Sequence, residues 1–278
     1  MLEKLDTLGA WLLIVLMAGS FLYFVIAHQL GFSYAKKLFG TRRIKEQRQE
    51  IPLEGNLFAA CYVRTNQPRI FDQHIHHELS AAFLYRWYSE GKVKLVQLKP
   101  ALEIVNYLSI QKDAVIRDPE ENSLYQKFCD AAGENGLLDV DEVYDWSYNR
   151  PGDLYGYKPE DIGKKWFEDR GLIEPGNPKD KLTNLGVRIR PLTPAGAAKA
   201  RGLVELQNFL QAQAEDKPCD PVDATRIDDL LCYGQLFGIA DKLAEKWKTN
   251  LTEEQTIVVK LCRDLAQAFF DGNNVATD

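Results

Sequence analysis

No Cys-x-x-Cys pair, no glycine-rich phosphate loop and no excess of positive charge occurs in this 278-residue chain. Each absence removes a class of function. The five cysteines, Cys61, Cys129, Cys219, Cys232 and Cys262, are scattered and odd in number. That excludes a disulfide framework and fits free thiols in a reducing compartment. Without a Walker A or dinucleotide fingerprint, nucleotide chemistry has no motif to rest on. There is no G-x-S-x-G elbow, and the histidines are too clustered to place one apart as a triad base. The carboxylate pairs Asp228/Asp229 and Glu253/Glu254 fall at or near helix starts, where they complement the helix dipole. A net charge of −6 and a pI near 5.4 run against a nucleic-acid footprint over the whole chain. These residues lead us to expect no enzyme activity and no cofactor.

What is present is the composition of a folded protein, 45% hydrophobic and 27% charged, not that of a disordered one. Residues 8–27, LGAWLLIVLMAGSFLYFVIA, carry no charge. About twenty such residues match the roughly 30 Å hydrocarbon core of a bilayer. The acidic start and the length of the stretch favour an uncleaved anchor over a signal peptide. Lys36, Lys37, Arg42 and Arg43 follow it, and the positive-inside rule places that side in the cytoplasm. The sequence therefore predicts a single-pass inner-membrane protein, with the lipid bilayer as a partner and the remaining region cytoplasmic.

Beyond the anchor (1–28) and a basic juxtamembrane linker (29–50), helix, glycine, then strand recurs. Leu79, Ala82, Phe83 and Trp87 share one helical face, Gly91 can end that helix, and KVKLVQL then alternates as a strand does. Pro159, Ile162, Trp166, Gly171 and the short run Leu172–Ile173 repeat the pattern. The expected fold class is α+β and predominantly helical. An N-terminal transmembrane helix is followed by tandem winged-helix-like units, at 51–119 and 120–191, and a C-terminal helical subdomain at 192–278. In that last part Thr193 before Pro194 makes a good helix start. Thr252 and Gln255 have capping-box spacing.

The stretch LTPAGAAKARGLVELQNFLQAQAEDKP, followed by IDDLLCYGQLFGIADKLAEKW, resembles the C-terminal cytoplasmic region of the YciQ-like predicted membrane proteins, a bacterial family without a known activity. The resemblance rests on Leu192, Thr193, Pro194, Ala195 and Gly196, on Leu230 to Gly234, on Gly238 to Asp241, and on Trp247. PLEGNLFAACYV and LYRWYSEGKVKLV are also similar to the family's preceding helix–strand unit, so the likeness spans residues 50–250. It implies a membrane topology and supplies no chemistry. The chain departs from the family in lacking the large extracytoplasmic domain before the span.

Three surfaces merit weighing. His74, His77 and Glu78 could share a helix face and ligate zinc, but the zincin pattern fails at Ala81 and no fourth ligand is in view. A polar helix start is the preferred reading, so no metal is expected. A winged helix around 71–89 could read DNA, yet Asp72, Glu78 and Glu90 oppose phosphate. Nucleic acid is therefore not the expected partner. Tyr144, Trp146 and Tyr148 form an aromatic stretch of the kind enriched at interfaces. The expected function is a membrane-anchored interaction or scaffold module with a protein partner. The alternative is a membrane-tethered winged-helix DNA-binding regulator.

Overall fold

The computed structural model describes residues 41, 44–65, 75–99, 104–150, 158–175 and 191–275, together with Met17 and Gly19. After a short 3-10 turn at Leu53–Gly55, the chain forms α1 (Leu57–Thr65) and α2 (Ile75–Ser89). Next come the hairpin strands β1 (Val93–Leu98) and β2 (Val105–Ile110), then α3 (Pro119–Ala131), β3 (Leu137–Leu138) and α4 (Val140–Tyr148). Then follow α5 (Pro159–Asp169), α6 (Pro194–Ala214), α7 (Ile227–Leu236), α8 (Ala240–Lys246) and α9 (Glu253–Val275). The molecule is mostly helical with a small three-stranded sheet.

Local chemistry sets the helix starts. Asp118 and Asp139 cap α3 and α4, their carboxylates accepting from the backbone N–H groups two and three residues on. Thr193 caps α6 by accepting from Gly196 N at 3.2 Å. Thr252 and Gln255 close the reciprocal box at the start of α9, with Gln255 Oε1 accepting from Thr252 N at 2.9 Å.

The strands run antiparallel in the order β1-β2-β3, with Val93 opposite Ile110, Leu95 opposite Leu108 and Leu108 opposite Leu138. Gln111 N donates to Lys92 O, and Ile110 N donates to Gly136 O. In an antiparallel ladder bonded and non-bonded pairs alternate. Lys94, Val96 and Leu98 therefore bond to β2, and the N–H and C=O groups of Val93, Leu95 and Gln97 point away from it. Among the described residues no strand pairs with that outer edge of β1.

One continuous apolar cluster joins all these elements. Its centre is α2, where Leu79, Ala82, Phe83, Leu84, Tyr85 and Trp87 are all buried. The helix is covered on several sides because α1, α7, α9 and β1 each pack on it. Two of its buried polar side chains find partners, Trp87 Nε1 donating to Glu121 at 2.8 Å and Tyr85 Oη to Asp228 at 3.0 Å, while the buried Ser80 hydroxyl has none among the described residues. The other two main contacts are α1 with α5 and α4 with α9. Both close at a glycine. A β-carbon at Gly163 would lie 2.1 Å from Phe58 O, and one at Gly272 would lie 2.4 Å from Tyr144 O.

These observations correct the expected fold class and location. Among the described residues no helix is long and apolar enough to cross a membrane. The two longest, α6 and α9, have 21 and 23 residues, enough to span. Each carries charge along its length, however, Lys199, Arg201 and Glu205 in one and Lys260, Arg263 and Asp264 in the other. Residues 8–27, expected to be the span, lie outside the described residues apart from Met17 and Gly19. Lys36, Lys37, Arg42 and Arg43 lie outside them too. Among the described residues the single-pass inner-membrane location thus has no helix to rest on. Tandem winged helices are also not what forms, because β3 completes the sheet of the preceding hairpin and α4 packs on α9.

Candidate functional site

The histidine-bearing turn opens α2. His74 lies outside the described residues, and the other three polar residues there part company. His76 turns toward α5, its Nε2 3.9 Å from Glu160 Oε2 and its ring 5.9 Å from that of Phe270. Burial lowers the His76 pKa from its ordinary value, and the nearby Glu160 carboxylate opposes that shift. His77 and Glu78 face an open cleft of about 260 Å³ between α2, the α7–α8 turn and α9.

Glu78 is committed to structure. Its carboxylate pairs with Arg64 at the end of α1, and the Arg64 guanidinium also donates to Leu236 O at the end of α7. Both side chains are nearly buried, at 13% and 10% exposed. Gly238, in the left-handed region at φ 69°, lies against the same carboxylate, and a β-carbon there would sit 2.1 Å from Glu78 Oε1. Across the cleft Arg263 pairs with Asp241 and, at 2.9 Å, with Asp264. Among the described residues no group of three histidine, cysteine or acidic side chains is placed to hold a metal ion.

The thiols are poor nucleophiles. Cys61, Cys232 and Cys262 are buried. Burial pushes the Cys232 thiol up to about 11 and raises the other two as well. Thiolate is the reactive form, so these groups act as small apolar side chains at neutral pH.

The aromatic stretch on α4 divides by depth. Trp146 is half-buried, its ring stacked on Phe269 of α9 at 5.6 Å and covered on the outside by Arg150 at 5.2 Å. Its Nε1 is buried without a hydrogen-bond partner. Tyr144 stacks parallel to Tyr148 at 6.3 Å, and Tyr148 remains 45% exposed. The outward aromatic of the three is therefore Tyr148.

A further surface escaped the sequence reading. Side chains of directly opposed residues lie on the same face of the sheet. Val93, Leu95, Leu108, Ile110 and Leu138 make the inner face. The opposite face carries Val96 across from Tyr107 and Leu98 across from Val105, with Lys94 across from Ser109 at one end. Leu98 is 43% exposed, and Val96, Val105 and Tyr107 are half-buried. A solvated sheet face is ordinarily polar. The signal was present in VKLVQL: both alternation phases of that strand contain apolar residues, where a half-buried strand needs only one.

No family model matches the chain, and no curated protein or solved structure matches it.

Proposed function

We propose that this chain is a protein-interaction module whose contact surface is the outward face of the β1–β2 hairpin. The observation that supports this reading is the apolar set Val96, Leu98, Val105 and Tyr107 on the solvent side of a sheet whose β1 edge has no partner strand among the described residues. Contiguous, partly exposed apolar surface of this kind carries a free-energy cost that a partner relieves. The alternative DNA-binding reading is weakened by the burial of α2, whose Leu79, Phe83, Leu84 and Trp87 side chains are in the core and not available to a groove. The resemblance to the YciQ-like family adds no activity to this proposal.

Site-specific photocrosslinking of the full chain in its native cells tests it. A photoreactive residue at position 98 or 105 is expected to give a discrete protein adduct that disappears when Val96→Asp is added. The same residue at exposed position 217 is the control. Absence of an adduct from both sheet positions, or an identical adduct from position 217, overturns the proposal.

A further inference from the structure

Building on that interaction reading, we infer that the open edge of β1 accepts an extended peptide segment as a fourth strand, and that the segment presents a basic residue flanked by apolar ones. Three features of the edge define this occupant. First, the backbone groups of Val93, Leu95 and Gln97 point outward and make no backbone hydrogen bond among the described residues. An added strand would donate to and accept from them, the usual source of affinity in β-augmentation.

Second, the side chains of an added strand alternate between two chemically different faces. On the inner side they enter a groove lined by Leu95, Gln97, Glu253, Glu254 and Ile257. Among the described residues neither Glu253 nor Glu254 has a cationic partner, and Glu254 accepts only the Tyr88 hydroxyl at 3.1 Å. An arginine or lysine in that groove can lay its stem on Leu95 and Ile257 and bring its charge to the two carboxylates. On the outer side the neighbours are Val96 and Leu98, which favour apolar side chains.

Third, the strand's own charges disfavour a second copy as the occupant. Lys94, the one charged residue within Val93–Leu98, lies on the outer face, away from Glu253 and Glu254, so pairing that span with itself brings no cation to the acidic groove. A lysine on an edge strand also discourages indiscriminate pairing.

The test measures fluorescence anisotropy of the labelled peptide Thr-Val-Arg-Val-Thr, with Thr-Val-Glu-Val-Thr as the charge-reversed control, on the full chain. The arginine peptide is expected to bind more tightly than the glutamate peptide. The double variant Glu253→Gln/Glu254→Gln is expected to weaken it about fivefold, as two exposed ion pairs would. Gln97→Pro removes an outward N–H without breaking a backbone bond to β2, losing there only the exposed side-chain bond to Asn106, and is expected to weaken it more than tenfold while the melting curve stays cooperative. Equal binding of the two peptides, or unchanged binding to Gln97→Pro, overturns the inference. So does a concentration-dependent dimer that Gln97→Pro dissociates, since the edge would then belong to a second copy. Persistence of the position-98 adduct in Gln97→Pro separates the two proposals: the interaction surface would stand and the added strand would fall.

Discussion

Replacing Glu78 by glutamine tests whether the α2 start is structural. The carboxylate pairs with Arg64, and that guanidinium reaches back to Leu236 O, so one charged pair ties α1, α2 and α7 together. Both side chains are nearly dehydrated, at 13% and 10% exposed. Removing one member of such a pair strands the other charge, which costs about 3–5 kcal/mol. In a protein of this size a kcal/mol moves the midpoint by roughly 2–4 °C, so the variant should melt roughly 6–20 °C lower. Urea unfolding of the full chain, followed by tryptophan fluorescence, gives the free energy directly. Removing both charges with Arg64→Met and Glu78→Leu should recover part of the loss, because no unpaired ion remains. The coupling energy of the cycle should be about 2 kcal/mol or more. A single-variant cost below about 1 kcal/mol with additive effects would refute the reasoning, because groups in contact are expected to couple.

Two further outcomes follow from the same packing. Trp146→Ala removes a ring stacked on Phe269 and should lower stability by about 2 kcal/mol, less than a fully buried tryptophan would. Tyr148→Ala should stay within about 0.5 kcal/mol of the parent, and chemical denaturation separates the two. Burial depresses the His76 pKa, so the unfolded chain takes up this proton at a higher pH than the folded one. Its contribution is fully present above the ordinary histidine value and is lost as pH falls below it toward the folded value. Melting at pH 7.5 and pH 5 should show a larger drop for the parent than for His76→Gln. An equal drop would mean that His76 titrates normally in the fold.

Local signals were legible in the sequence and distant pairings were not. The Thr193 cap, the Thr252–Gln255 box and the glycine ending α2 depend on residues a few positions apart, and each forms in the structure. The stripe Ala240, Leu243, Ala244 and Trp247 is buried as its periodicity implies. Periodicity reveals which face is apolar without naming what covers it. Nothing in VDEVYDWSY announces that α4 lies on α9, more than a hundred residues later, or that Leu137–Leu138 would join a sheet begun at Val93. The β2–β3 pairing runs across the expected division between residues 119 and 120. At the α2 start the residues themselves were visible. What the sequence could not show was that Arg64 takes the Glu78 carboxylate while His76 turns to another helix.

The order in which the core closes has a consequence for synthesis. Phe269 stacks on Phe128 at 4.6 Å and on Trp146, and α9 also covers α2. A ribosome adds about 5–20 residues per second, so α2 through α4 wait several seconds or longer for their cover to emerge. During that interval the nascent chain displays the side of Phe128 and Trp146 that α9 later hides. This core thus closes only after α9 has been translated, and a chain released before residue 253 would leave the ribosome with these aromatic side chains open to chaperones and to other nascent chains.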